Sequence, residues 1–262
     1  MTTGGSEVAV PCAARMTDYL LGNGHNLAPD RRLADELERA VPDIRTVVQL
    51  GRTFLRCAVL YLVEAGVRQF VKFGSGIPVA GSVHAIAGAA DPACRVVYVD
   101  TDQIAVAHGQ LLLKDDERAA TVQADPRDLD ELLRQPEARR LLDLLQPVGV
   151  LLGDVLAFLP RSWDPAVVIA GWADRFAPGS HLALAHLTAD ARPRETAALV
   201  AVMSRSRDPV RPRTRAEITG LFGRFKPVGP GVAGIDRWYR ERELDPAEQA
   251  AATQFYVGIG RR

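Results

Sequence analysis

Apolar positions recur at helical spacing through the first quarter of the chain, then give way to short unbroken apolar runs. Ala14 to Leu21 has a helical pattern that Gly22-Asn23-Gly24-His25-Asn26 interrupts. Asp30 can cap a helix over Arg31 to Ala40, where Leu33, Leu37 and Ala40 share one face. After Pro42-Asp43, Ile44 to Ala65 places Val47, Val48, Leu50, Phe54, Leu55, Ala58, Val59 and Leu62 on a broad apolar face, and Gly66 ends it. Residues 1–13 are expected to be a disordered tail, residues 14–66 a helical cap and residues 67–262 the core.

Five apolar runs follow: Gln69 to Phe73, Arg95 to Asp100, Thr121 to Asp125, Val148 to Leu152 and His181 to His186. Helical patterns separate them over Val83 to Ala89, Ile104 to Leu113, Asp128 to Leu145 and Pro165 to Phe176. This alternation predicts an α/β fold with a mainly parallel sheet and helices on both of its faces, which is why the strands are apolar throughout rather than alternating. Glu195 to Met203 and Ala216 to Leu221 read as helices, and Phe225 to Val228 and Gln254 to Ile259 as two closing strands.

In such a sheet ligands sit beyond the carboxyl ends of the strands, so the strand ends are where chemistry is sought. The first ends in Gly74-Ser75-Gly76, where bare backbone can approach a ligand. The second ends in Asp100-Thr101, an acid suited to both hydroxyls of a ribose and equally able, with Asp102, to cap the next helix. The third ends in Asp125-Pro126, with an acid that suits an adenine amino group. The fourth ends in Gly153-Asp154 and the fifth in His186. An adenosine-containing ligand fits this spacing. Val79 stands where a dinucleotide loop has its third glycine, and Pro78 stiffens the loop, so the pattern favours S-adenosylmethionine over NAD and disfavours an oxidoreductase.

Composition changes the picture mainly by exclusion. Lys plus Arg and Asp plus Glu both total 32 in 262 residues, which gives no general electrostatic case for nucleic acid or an anionic membrane. No apolar run approaches the roughly 20 residues that span a bilayer. Cys12, Cys57 and Cys94 are odd in number and widely spaced, which fits a reducing cytoplasm and no metal site. Heavy use of alanine and arginine suggests a GC-rich coding genome. The arginines between Arg205 and Arg215 predict a solvated surface loop rather than an anion-binding lid, and Trp238 reads as a packed aromatic or a pocket wall.

Asp18-Tyr19-Leu20-Leu21-Gly22, within Arg15 to Gly22, and Val97-Tyr98-Val99-Asp100, within Arg95 to Asp100, are fairly specific in this order, and Arg52-Thr53-Phe54-Leu55-Arg56-Cys57-Ala58-Val59 lies between them. With Val41-Pro42-Asp43-Ile44-Arg45, Val122-Gln123-Ala124-Asp125 and Ala177-Pro178-Gly179-Ser180, they resemble the actinobacterial S-adenosylmethionine-dependent methyltransferases that carry a domain formerly of unknown function. The resemblance implies a Rossmann-like class I methyltransferase sheet, S-adenosylmethionine as cofactor, Tyr19, Gly22 and Arg52 near it, Asp100 on its ribose and Asp125 near its adenine. The chain departs from the family pattern at four places. Lys72 replaces an acid at the end of the first strand, and Gly51 replaces an asparagine. Gly24-His25-Asn26 and Leu156-Ala157-Phe158 also differ.

Lys72 is expected to reach Asp154 or Asp18, to bind an anion, or to act as a desolvated base. His186, Asp154 and His25 are the candidate general bases. The expected function is methyl transfer to a small molecule, in specialised metabolism, with a homodimer left open. The alternative keeps the fold and loses methyl transfer, so that the pocket catalyses a cyclisation or rearrangement or only binds a ligand.

Overall fold

The computed structural model describes residues 10–76, 81–159, 162–239 and 241–262; most of the predicted tail and the loop positions Ile77, Pro78 and Val79 lie outside them. Five parallel strands, β1 (Gln69–Phe73), β2 (Arg95–Asp100), β3 (Ala119–Gln123), β4 (Val148–Leu152) and β5 (His181–Leu187), are joined by β6 (Lys226–Pro227) and β7 (Phe255–Arg261). Their order is β3-β2-β1-β4-β5-β7-β6, with β7 antiparallel to both β5 and β6. The chain winds outward from β1 through β2 to β3, then returns to β4 on the other side of β1. The strand order therefore reverses between β1 and β4, and a crevice opens beyond their carboxyl ends.

Alternation along the strands supplies two apolar faces. Val71, Phe73, Val97, Val99, Val150 and Leu152 face one layer, where Phe73 stacks on Trp172 at 4.5 Å between ring centres. That layer includes α6 (Leu129–Arg134), α7 (Pro136–Leu141) and α8 (Pro165–Arg175). Phe70, Val96, Tyr98 and Leu151 face the other, formed by α3 (Ile44–Glu64), α4 (Val83–Ala90) and α11 (Pro246–Ala252). By length and composition α3 is long and apolar enough to cross a bilayer, against the expectation that no apolar run approaches that length. Its Leu50, Phe54, Ala58, Val59 and Leu62 are instead buried against the sheet. The remaining helices are α1 (Ala13–Leu20), α2 (Ala28–Ala40), α5 (Gln103–Leu112), α9 (Pro193–Met203) and α10 (Arg215–Gly220). Apolar side chains of α1, α2 and α9 form a third cluster with Leu187 and Val210.

Three expectations need correction. The helix expected over Asp128 to Leu145 is two helices, because Pro136 drives Gln135 into an extended conformation and starts α7 afresh. β3 ends at Gln123, so Asp125 falls beyond the strand. The predicted tail is anchored at its end: Cys12 and Ala13 are buried, and the Cys12 N–H donates to Asp30 Oδ1 at 3.0 Å. Asp30 lies inside the first turn of α2, where its Oδ2 accepts from the Leu27 N–H and from Arg15 Nε.

Candidate active site

At the end of β1 the chain turns through two left-handed residues, Gly74 at φ +59° and Gly76 at φ +58°. Ser75 N–H donates to Val99 O at 3.1 Å, tying the turn to β2. Asp100, at the end of β2, accepts from Gly76 N–H at 2.8 Å through Oδ2 and from Asp102 N–H at 3.0 Å through Oδ1. Capping falls to Asp102 instead, whose Oδ1 accepts from the N–H groups of Ile104 and Ala105 at the start of α5. The capping role that the sequence left open thus falls to Asp102, while Asp100 fastens the glycine turn. Each Asp100 oxygen retains lone-pair capacity for a further donor.

A cavity of 490 Å³ lies over these strand ends, within the range of about 300–1,000 Å³ usual for small-molecule sites. Gly74, Ser75, Gly76, Asp100, Thr101 and Pro126 line it together with Arg52, Lys72 and Asp154. Asp154 opens the 3₁₀ turn Asp154–Phe158 after β4. Its Oδ1 accepts from Leu187 N–H at 2.9 Å. Asp154 is exposed at the cavity, although protein crowds its carboxyl. Desolvation raises its pKa to about 7, against the lowering effect of the Leu187 N–H. Lys72 reaches neither Asp154 nor Asp18. Its Nζ donates to Gly74 O at 2.9 Å and Ser75 O at 3.3 Å, and desolvation lowers its pKa to about 8.

Five expected site residues lie elsewhere. Tyr19 is one helical step from the cavity-lining Asp18, which turns its ring outward, and its hydroxyl donates to Asp35. Gly22 is exposed in the turn that ends α1. Asp125 is drawn away by Arg127, which lowers its pKa, and it opens onto a separate shallow cleft. His25 is exposed, its ring edge-on to His108 at 5.9 Å with Nδ1 3.5 Å from Asp18 Oδ1, and its backbone N–H donates to Asp18 Oδ2 at 2.7 Å. His186 faces the opposite side of β5 from the cavity-lining Ala185 and Leu187.

His186 is fully buried between Leu187 O, 2.8 Å from Nδ1, and Arg213 Nη1, 2.6 Å from Nε2. Arg213 donates to Nε2, so the proton sits on Nδ1 and the ring is neutral. Desolvation, with Arg213 adding to it, lowers its pKa to about 4. Because the unfolded chain protonates this histidine near 6.5, stability is complete above that pH and falls as pH drops toward 4. The expected loss is about 3 kcal/mol. Urea unfolding at pH 7 and pH 4.5 should show a steeper loss in the wild type than in His186→Gln; equal losses would remove His186 as the source.

The arginine-rich stretch is a loop that leaves Arg205, Arg207 and Arg215 exposed, but it is packed along its inner side. Arg207 Nη2 donates to Asp102 Oδ2 at 2.6 Å, and Asp208 Oδ2 accepts from Ala13 N–H at 2.8 Å. Arg211 N–H donates to Ala157 O and Arg213 N–H to Leu187 O. The segment is a strap that binds α1 to the strand ends and closes one side of the cavity with Arg207, Asp208 and Val210. Burial opposes ionisation of Asp102, but Arg207 and the helix N–H groups outweigh it and lower its pKa. Sequence reading also missed Asp18, Tyr98 and Trp163 as cavity residues. Asp18 and Tyr98 lie inside motifs that the sequence singles out, so alternation and helix phase were the available signals. Trp238 packs edge-on against Phe54 and Tyr61, away from the cavity.

A family model described as S-adenosyl methyltransferase matches residues 5–262. A crystallised Thermobifida fusca protein assigned as a methyltransferase aligns over 99% of this chain and 97% of its own, with 33% identity and a TM-score of 0.90. A DUF574 family protein from Streptomyces avermitilis aligns over 98% and 99%, with 29% identity and a TM-score of 0.88. The plantazolicin methyltransferase BpumL, solved with S-adenosylhomocysteine, covers 95% of both chains at 10% identity and a TM-score of 0.51, a likeness of fold alone. No protein of curated function matches the chain.

Proposed function

The chain belongs to the S-adenosyl methyltransferase family, and from that premise we propose that it methylates a small-molecule acceptor in the cavity at the β1–β4 switch point, with Asp154 as general base. The residues present fit the donor. Asp100 carries acceptor capacity for ribose hydroxyls, and the Gly74–Gly76 turn offers backbone that a side chain would obstruct. Ala124, Pro126 and Trp163 supply apolar surface for a purine. When bound, S-adenosylmethionine supplies an electrophilic methyl group on a sulfonium.

The protein's own part is alignment, exclusion of water and proton removal. Met16, Leu20, Val47, Leu199 and Met203 wall the cavity on the side of the helical cap, which favours an apolar acceptor and a dry reaction space. Asp154 has one oxygen fixed by Leu187 N–H and presents the other to the cavity, where it can take the proton that a hydroxyl or amine acceptor loses. One observation carries this reading: Asp100, suited to the donor, and Asp154, suited to the acceptor's proton, face the same cavity. Calorimetric titration with S-adenosylhomocysteine tests the first half, with micromolar affinity expected. Transfer of labelled methyl groups to a panel of phenols and amines tests the second. Absence of S-adenosylhomocysteine binding would overturn the reading.

A further inference from the structure

On the cavity wall toward α3 stand two cations. Lys72 is the next-to-last residue of β1 and, by strand alternation, faces the same side as Phe70. Arg52 lies along α3 on that side, and its Nη2 donates to Gly81 O at 3.2 Å. Both are half-buried and both line the cavity. Burial weakens the basicity of each, and the charge of Arg52 adds to the effect on Lys72. Among the described residues Lys72 makes no ion pair. Two of its three donors go to the glycine-turn carbonyls, which hold the ammonium at the rim of the turn. Two positive charges on one cavity wall, that of Arg52 felt at Lys72, favour an anion seated against that wall.

We propose that Lys72 and Arg52 form a carboxylate subsite, and that the carboxylate it takes is the one on the donor's methionine end. This rests on the cavity being the donor site. The charge balance selects a monoanion: Asp18, Asp100, Asp102 and Asp154 face the same cavity, so a phosphate dianion would meet a surplus of carboxylates. The same arrangement suits a zwitterion, with the cations taking its carboxylate and the acids its ammonium and sulfonium. Position selects the source. The glycine turn alone separates Lys72 from Asp100, the acid suited to the ribose, so the subsite adjoins the donor's sugar rather than the apolar wall of the helical cap.

The test compares S-adenosylhomocysteine with 5′-methylthioadenosine, which keeps the adenosine and sulfur but lacks the amino acid. Both are titrated calorimetrically into the full chain as wild type, Lys72→Met, Arg52→Met and Lys72→Arg. The wild type is expected to bind S-adenosylhomocysteine more tightly by about 10- to 100-fold, the scale of hydrogen bonds to charged groups. Lys72→Met and Arg52→Met should each remove most of that preference, and Lys72→Arg should restore it. Unchanged affinity for 5′-methylthioadenosine shows that each variant is folded. If 5′-methylthioadenosine binds but the preference is absent, or persists undiminished in both methionine variants, the subsite is overturned while the donor site stands. If those variants raise only the KM of the methyl acceptor, the pair serves a carboxylate on the acceptor and the donor assignment fails. If neither nucleoside binds, the donor site fails and the subsite with it.

Discussion

Asp154→Asn is expected to lower kcat by about 10²–10⁴-fold, the usual worth of a positioned general base, while leaving S-adenosylhomocysteine affinity unchanged. Asparagine keeps the shape of the side chain, and its carbonyl oxygen can still accept from Leu187 N–H, so the 3₁₀ turn after β4 should persist. What disappears is the titratable oxygen presented to the cavity. The raised pKa of about 7 places Asp154 where a base is most effective near neutrality: about half ionised there, yet basic enough to hold a proton. The sign follows from the reactive form. Only the carboxylate accepts a proton, so wild-type kcat/KM should climb with pH, about tenfold per unit below 7, and level above it. In Asp154→Asn that rise should vanish. A wild-type profile flat through pH 7, or a variant with undiminished kcat, would exclude Asp154 from proton transfer. Titration with S-adenosylhomocysteine on the same samples separates a chemical defect from a binding defect.

The fold was readable because its determinants are local. Apolar runs of strand length between helical stretches announce a parallel sheet, and all five parallel strands fall within two residues of where the pattern puts them. The strand ends that border the cavity were readable for the same reason, since Gly74, Gly76 and Asp100 lie where β1 and β2 stop. Errors arose where a position depends on a single residue of phase. β3 stops at Gln123, and that shift carries Asp125 out of the cavity and into the grip of Arg127. His186 alternates to the wrong side of β5, whereas Leu187 does not. Tyr19 and Asp18 differ by one helical step, and the motif containing both could not say which faces inward. The strap was invisible for another reason. Arg207 and Asp102 are 105 residues apart, and nothing in local periodicity links an arginine beside a proline-broken stretch to a particular helix cap. Lys72 shows the same limit: its pairing with glycine-turn carbonyls rather than a carboxylate is a matter of tertiary geometry.

Gly74→Ala should be among the most damaging single-methyl changes in the chain, because two costs coincide there. At φ +59° an alanine pays about 1–2 kcal/mol for the left-handed conformation. Its Cβ would also lie 2.4 Å from Val155 Cγ2 and 2.8 Å from Val155 Cβ, an overlap that forces the turn after β4 to move. Overpacking of this kind costs about 1–3 kcal/mol, so a total near 2–5 kcal/mol is expected in urea unfolding at neutral pH. The functional loss should exceed the loss of stability. Displacing Gly74 shifts the carbonyls that hold Lys72 and the Gly76 N–H that Asp100 accepts, and it pushes on the residue next to Asp154. Val155→Ala provides the control. Removing both Cγ atoms relieves the closest contact but leaves the Cβ at 2.8 Å and the backbone strain untouched. The double variant should therefore be more stable than the two single losses added together, with a coupling of about 0.5–3 kcal/mol, yet remain less stable than Val155→Ala alone. Strict additivity would show that the contact with Val155 does not govern the turn. A wild-type unfolding midpoint for Gly74→Ala would show that the left-handed glycine is not required, and the backbone cradle at the end of β1 would lose its physical basis.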